Sequence, residues 1–135
     1  MVRSVLGVVV GAVAWMLVFF LLCMVLAQFW PDYALHGRTW FRERVFTFTP
    51  PMAVCNLLFW IVADSAAGWL AMTIARRRAA LWALAVLLTA YLASQHLLLY
   101  WPRFPWWYNL GVVLPALPAM LLGGWSRPVE RGTEP

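Results

Sequence analysis

Residues 52–75 read MAVCNLLFWIVADSAAGWLAMTIA, and residues 76–78 read RRR. A single charge, Asp64, interrupts the apolar stretch, and the three arginines close it. At 1.5 Å per residue, about 20 residues cross the roughly 30 Å hydrocarbon layer of a bilayer, so this run is long enough to span one. Three more runs have the same character, 5–27, 79–100 and 106–125, and none of them carries a formal charge. Strands of a membrane barrel alternate apolar and polar residues over about ten positions, which these runs do not do. Backbone groups in lipid must pair within their own segment, so each run is predicted to be a helix. The expected fold class is an all-α membrane protein: a four-transmembrane-helix bundle forming one domain over residues 1–125.

The composition agrees. The chain of 135 residues is 64% hydrophobic and 11% charged, with mean hydropathy +0.78. Soluble domains average about 45–50% apolar and 25% charged, so a water-soluble globule and a disordered chain are both excluded. The net charge is +5, and all ten cations are Arg. A basic balance can mark a nucleic-acid partner. Here, however, the arginines sit at the ends of apolar runs, which is how charge sets membrane orientation. Membrane lipids, and no nucleic acid, are the expected surroundings. The first run exceeds the 7–15-residue core of a signal peptide and is read as a retained anchor.

Orientation follows from the same arginines. Arg3, Arg76, Arg77, Arg78, Arg127 and Arg131 fall on one side, against Arg38, Arg42, Arg44 and Arg103 on the other. The positive-inside rule then places both termini in the cytoplasm. The longer connection, 28–51, is extracytoplasmic. It opens on Trp30-Pro31-Asp32 and closes on Thr49-Pro50-Pro51, both helix-breaking sequences. Between them Trp40, Phe41, Arg44, Val45 and Phe48 recur near a helical period, so residues 39–48 are a candidate interfacial helix. The polar tail, 126–135, is expected to be disordered.

Asp64 is the most informative residue. It is the thirteenth of its run, which puts it roughly 18 Å deep, near the midplane. An ionised carboxylate costs about 2.5–3.5 kcal/mol there, so it should face the bundle and find a donor, or carry a proton. Equal depth on the other runs selects the Trp15 indole and the Thr89 hydroxyl as candidate donors. His96 lies about 12 Å too high to join them. A second polar layer, Asn56, Ser94, Gln95, His96, Tyr108 and Asn109, falls within about two turns of the outer interface and suits a headgroup or a small solute.

Small residues mark the packing faces, because helices in lipid associate through close contact and not through water exclusion. Ala63, Ala67, Gly68 and Ala71 lie on the second run, and Gly7 and Gly11 on the first. Pro115 and Pro118 should kink the last helix. Cys23 and Cys55 match in depth and leave a disulfide geometrically open, though two inert thiols are the expectation. Membrane thiol oxidoreductases use paired cysteines, and none occurs here. Small four-helix multidrug exporters keep a carboxylate in their first helix, where this chain has no charge. No phosphate loop, metal cluster or nucleophile elbow appears, so no enzyme activity, cofactor or metal is expected.

The stretch Gly68-Trp69-Leu70-Ala71-Met72-Thr73-Ile74-Ala75-Arg76-Arg77, with Trp107-Tyr108-Asn109-Leu110 and a last helix closing on Leu121-Leu122-Gly123-Gly124-Trp125, resembles an uncharacterised group of small bacterial four-helix integral membrane proteins. The likeness covers the last three helices. It implies the four-helix topology and a bacterial inner membrane, and it assigns no activity. The function expected from the residues is that of a small structural or interaction subunit, packing against itself or a larger membrane partner through the Gly/Ala faces. The alternative is a small oligomeric transporter or channel-like protein with Asp64 as its protonatable site.

Overall fold

The computed structural model describes residues 1–126 and is helical throughout its regular structure. The helices are α1 (Val2–Phe29), α2 (Pro31–Glu43), α3 (Pro50–Ala75), α4 (Arg78–Ala93) and α5 (Trp106–Trp125). A π-helical segment, Ser94–Leu99, continues α4. Four helices are long and apolar enough to cross a membrane: α1, α3, α4 with its π segment, and α5. The arginines and the tail beyond Ser126 lie outside the described residues, so Arg127, Arg131 and the expected disordered tail have no structural counterpart here.

Prolines set the boundaries. Pro31 pushes Trp30 into an extended conformation (φ −132°, ψ 90°), which ends α1, and then itself occupies the first position of α2. The same residue therefore closes one helix and opens the next. This corrects the expected interfacial helix over 39–48: α2 begins eight residues earlier, and the chain leaves it at Arg44. Asp32 in the first turn and Arg42 in the last complement the α2 dipole. Thr49 and Pro50 repeat the arrangement at the start of α3. At the far end, Arg76 caps α3 in the left-handed region (φ 52°), and two residues suffice to turn the chain into α4. α5 runs as one helix through Pro115 and Pro118.

α3 is the central helix and packs most extensively against α1 and α5. Its buried side chains include Asn56, Trp60, Ala63, Asp64, Ala67, Gly68 and Ala71, a stripe wide enough for two neighbours. α1 is buried along one row only, Gly7, Gly11, Trp15 and Phe19, spaced by four. The small residues meet within one chain. A Cβ on Gly7 would lie 2.8 Å from the Ala75 Cβ, and one on Gly11 would lie 3.1 Å from the Ala67 carbonyl oxygen. The α3–α5 crossing is closer still. The Met120 carbonyl occupies the place of a Gly68 Cβ, and the Ser65 carbonyl that of a Gly123 Cβ, so the two backbones notch reciprocally. These contacts put the N-terminus of α1 and the C-terminus of α5 at the Arg76–Arg78 end, with α2 at the other.

Candidate functional site

The row on α1 and the stripe on α3 bring Trp15 and Asp64 together. The indole Nε1–H donates to Asp64 Oδ1 at 2.8 Å, and Asp64 is fully buried. Its second oxygen, Oδ2, has no hydrogen-bond partner. Thr89, the other expected donor, makes no such bond, and its own hydroxyl is unpartnered. Equal depth was not sufficient, because α4 turns Leu81, Leu84, Ala85, Leu88 and Leu92 inward and leaves Thr89 half-buried on the flank. Trp15 is tilted against Trp60 with centroids 5.2 Å apart and edge-on to Tyr91 at 6.2 Å. Phe19 stacks on Trp60 at 3.8 Å.

The polar layer towards α2 divides into two groups. In the first, Tyr33 reaches down from α2: its hydroxyl donates to Asn56 Oδ1 and sits 3.3 Å from Cys23 Sγ. Cys23 and Cys55 are both free thiols. Burial pushes the Tyr33 hydroxyl well above its usual range, and the neighbouring Cys23 adds to the push. A proton held more tightly in the folded chain gives stability that is complete below the unfolded value, about pH 10, and is lost as pH rises past it. Tyr33→Phe should therefore cost about 1 kcal/mol at neutral pH, because it leaves Asn56 Oδ1 with only the weak Cys23 thiol donor at 3.7 Å. Above about pH 10.5 the gap to the native protein should shrink. Unfolding in mixed micelles at both pH values measures this, and a constant gap would remove Tyr33 from the alkaline transition.

In the second group, Asn109 Nδ2 donates to the Phe104 carbonyl at 3.3 Å, which leaves its Oδ1 to accept from His96 Nδ1 at 3.0 Å. That pairing assigns the proton to Nδ1 and leaves Nε2 as an acceptor. His96 is buried within the π segment; such segments are rare and recur at functional sites. His96 does not meet Asp64; its polar partner is Asn109.

Between these groups lies a cleft of about 280 Å³, close to the lower bound of roughly 300 Å³ for small-molecule sites. Its floor and walls are Trp15, Phe19, Trp60, Tyr91 and Leu92, with Met16 and Phe20 at an exposed edge. Its α2 end carries Trp40, Arg44, Gln95, His96 and Tyr100. A smaller pocket of about 40 Å³ continues beneath α2, lined by Tyr33, Gly37 and Trp40 among others. Among the described residues no group of His, Cys, Asp or Glu is placed to hold a metal ion.

Of the predicted positions, the fold brings Trp15 to Asp64, His96 to Asn109, and Gly7 and Gly11 to the α3 alanines. Asn56 joins Tyr33, and Gln95 lines the cleft. Tyr33, Trp60 and Phe19 were not singled out, and Arg44 was named only for its charge and its place in the candidate interfacial helix. A helix counted from Pro31 would have shown part of the pattern, since Tyr33, Gly37, Trp40 and Arg44 fall on one face and line the two cavities. A comparison of the chain with protein families, with characterised proteins and with solved structures finds no match in any of the three.

Proposed function

We propose that this is an integral inner-membrane protein with both termini in the cytoplasm, and that it binds the apolar chain of a lipid-like molecule without acting on it chemically. The Arg76–Arg78 turn supports the orientation, with Trp30, Trp101, Trp106 and Trp107 clustered near the opposite end. The observation that carries the function is the aromatic cleft, whose edge at Met16 and Phe20 faces the zone that acyl chains would fill. Assembly through the Gly/Ala faces has less to draw on. Gly7, Gly11, Gly68, Ala67 and Ala71 are already in contact within one chain, and Ala63 is buried in the same core.

Three tryptophans line the cleft, Trp15, Trp40 and Trp60, so a brominated alcohol should quench their emission. In non-ionic micelles the quenching should saturate as the probe fills the cleft. Quenching that rises only in proportion to the probe's share of the micelle would overturn the binding function. Proton-coupled transport through Asp64 is a second role, favoured by the unpaired Oδ2 and by Trp15, which touches both the acid and the cleft. Vesicles that take up no protons after a pH step would set it aside.

A further inference from the structure

Resting on the binding function above, we propose that the molecule in the cleft is an amphiphile with an anionic head, a phosphate or a carboxylate, held by Arg44. The lining is divided along its length. Trp15, Phe19 and Trp60 form an apolar floor, while Arg44 and Gln95 stand at the α2 end. Among the described residues Arg44 is the one charged side chain in that lining, and no acid lines it. A molecule matching this division has a chain at one end and negative charge at the other. A guanidinium presents a fork of N–H donors suited to both candidate heads.

Three features bear on Arg44, an exposed side chain at the α2 end of the cleft. Its guanidinium carbon lies 5.5 Å from the centroid of the Trp40 ring, which also lines the cleft, so the charge is held at the mouth. No carboxylate pairs with it among the described residues, which leaves its donors available. Its backbone is left-handed, φ 56° and ψ 34°, at the position after α2 where glycine is the usual occupant. A backbone of this kind strains an arginine, as it does Arg76 at the end of α3. Beside it, the Gln95 amide makes no side-chain hydrogen bond among the described residues and offers a second donor.

The left-handed backbone supplies a variant that is safe for folding. Arg44→Gly removes the guanidinium and relaxes the turn, so thermal unfolding should stay at the native temperature or rise. Arg44→Gln keeps the strain and most of the side-chain length while removing the charge. The test compares a brominated alkyl phosphate with the brominated alcohol of the same chain length, by tryptophan quenching in non-ionic micelles. For the native protein the phosphate should saturate at about a tenfold lower concentration than the alcohol, and both variants should close that gap. Equal midpoints in the native protein, or a gap that survives in Arg44→Gly, would overturn the anionic head while leaving chain binding in place. If neither probe saturates, chain binding itself fails, and the head-group assignment with it. Inorganic phosphate should not compete at concentrations where the alkyl phosphate is bound. Competition at equal concentration would show a site for a free anion and overturn the amphiphile.

Discussion

Gly68→Val is expected to destabilise the protein by about 3 kcal/mol, because its Cβ would have to stand where the Met120 carbonyl stands. A flexible side chain can rotate away from such a clash, but a backbone carbonyl on a neighbouring helix cannot. α3 and α5 must separate, and the packing on both sides of the crossing is lost with the contact. Gly123→Val, which meets the Ser65 carbonyl, should cost a similar amount. The double variant should cost less than the sum, since one separation accommodates both side chains. Gly37→Ala is the control. A Cβ there meets nothing within 4 Å, and alanine suits a helix interior better than glycine by about 0.5–1 kcal/mol. Unfolding in mixed micelles at increasing fractions of a denaturing detergent measures all four. A Gly68→Val protein that unfolds with the native one would mean that α3 and α5 do not cross here.

Trp15→Phe is the second large effect, expected at about 2–3 kcal/mol. The phenyl ring keeps much of the stacking on Trp60 but lacks the N–H that Asp64 Oδ1 accepts at 2.8 Å. Oδ2 already has no partner, so the variant leaves a fully buried carboxyl group with neither oxygen bonded. Asp64→Ala removes the group that needs the donor without adding volume to a fully buried site. In that background Trp15→Phe should cost only about 1 kcal/mol, the difference between the two rings. The cycle of single and double variants would then return a coupling of about 1–2 kcal/mol. Strictly additive effects would show that the indole contributes by its size and not by its hydrogen bond.

Distance along a span is readable from residue number alone, which is why Trp15 could be set level with Asp64. Rotation about a helix axis is less readable in an apolar run, because lipid-facing and core-facing positions carry the same residue types. Thr89 was misjudged as a donor: its hydroxyl and Asp64 Oδ2 are each without a hydrogen-bond partner. α2 was placed late because Pro31 was taken as punctuation, when a proline at the first position of a helix costs nothing. The π segment left no mark in the sequence, since one extra residue per turn needs no special side chain. The cleft was hidden for a related reason. It is an arrangement of ordinary aromatic residues from four helices, and only their relative rotation creates the space.

The single row of contact on α1 also bears on how the chain can change over evolutionary time. Gly7, Gly11, Trp15 and Phe19 account for its buried positions, while Val5, Val9, Val13, Leu17, Leu21 and Val25 stand exposed. Those outward sites need only be oily, so mutation is free to exchange one aliphatic residue for another there without touching the fold. Selection is left with those four letters and the half-buried Val8, Ala12, Val18 and Cys23 that pack against the core, in a helix of 28. Two diverged descendants of this chain could therefore share little along their first helix beyond those inward positions and their small, small, aromatic, aromatic beat of four.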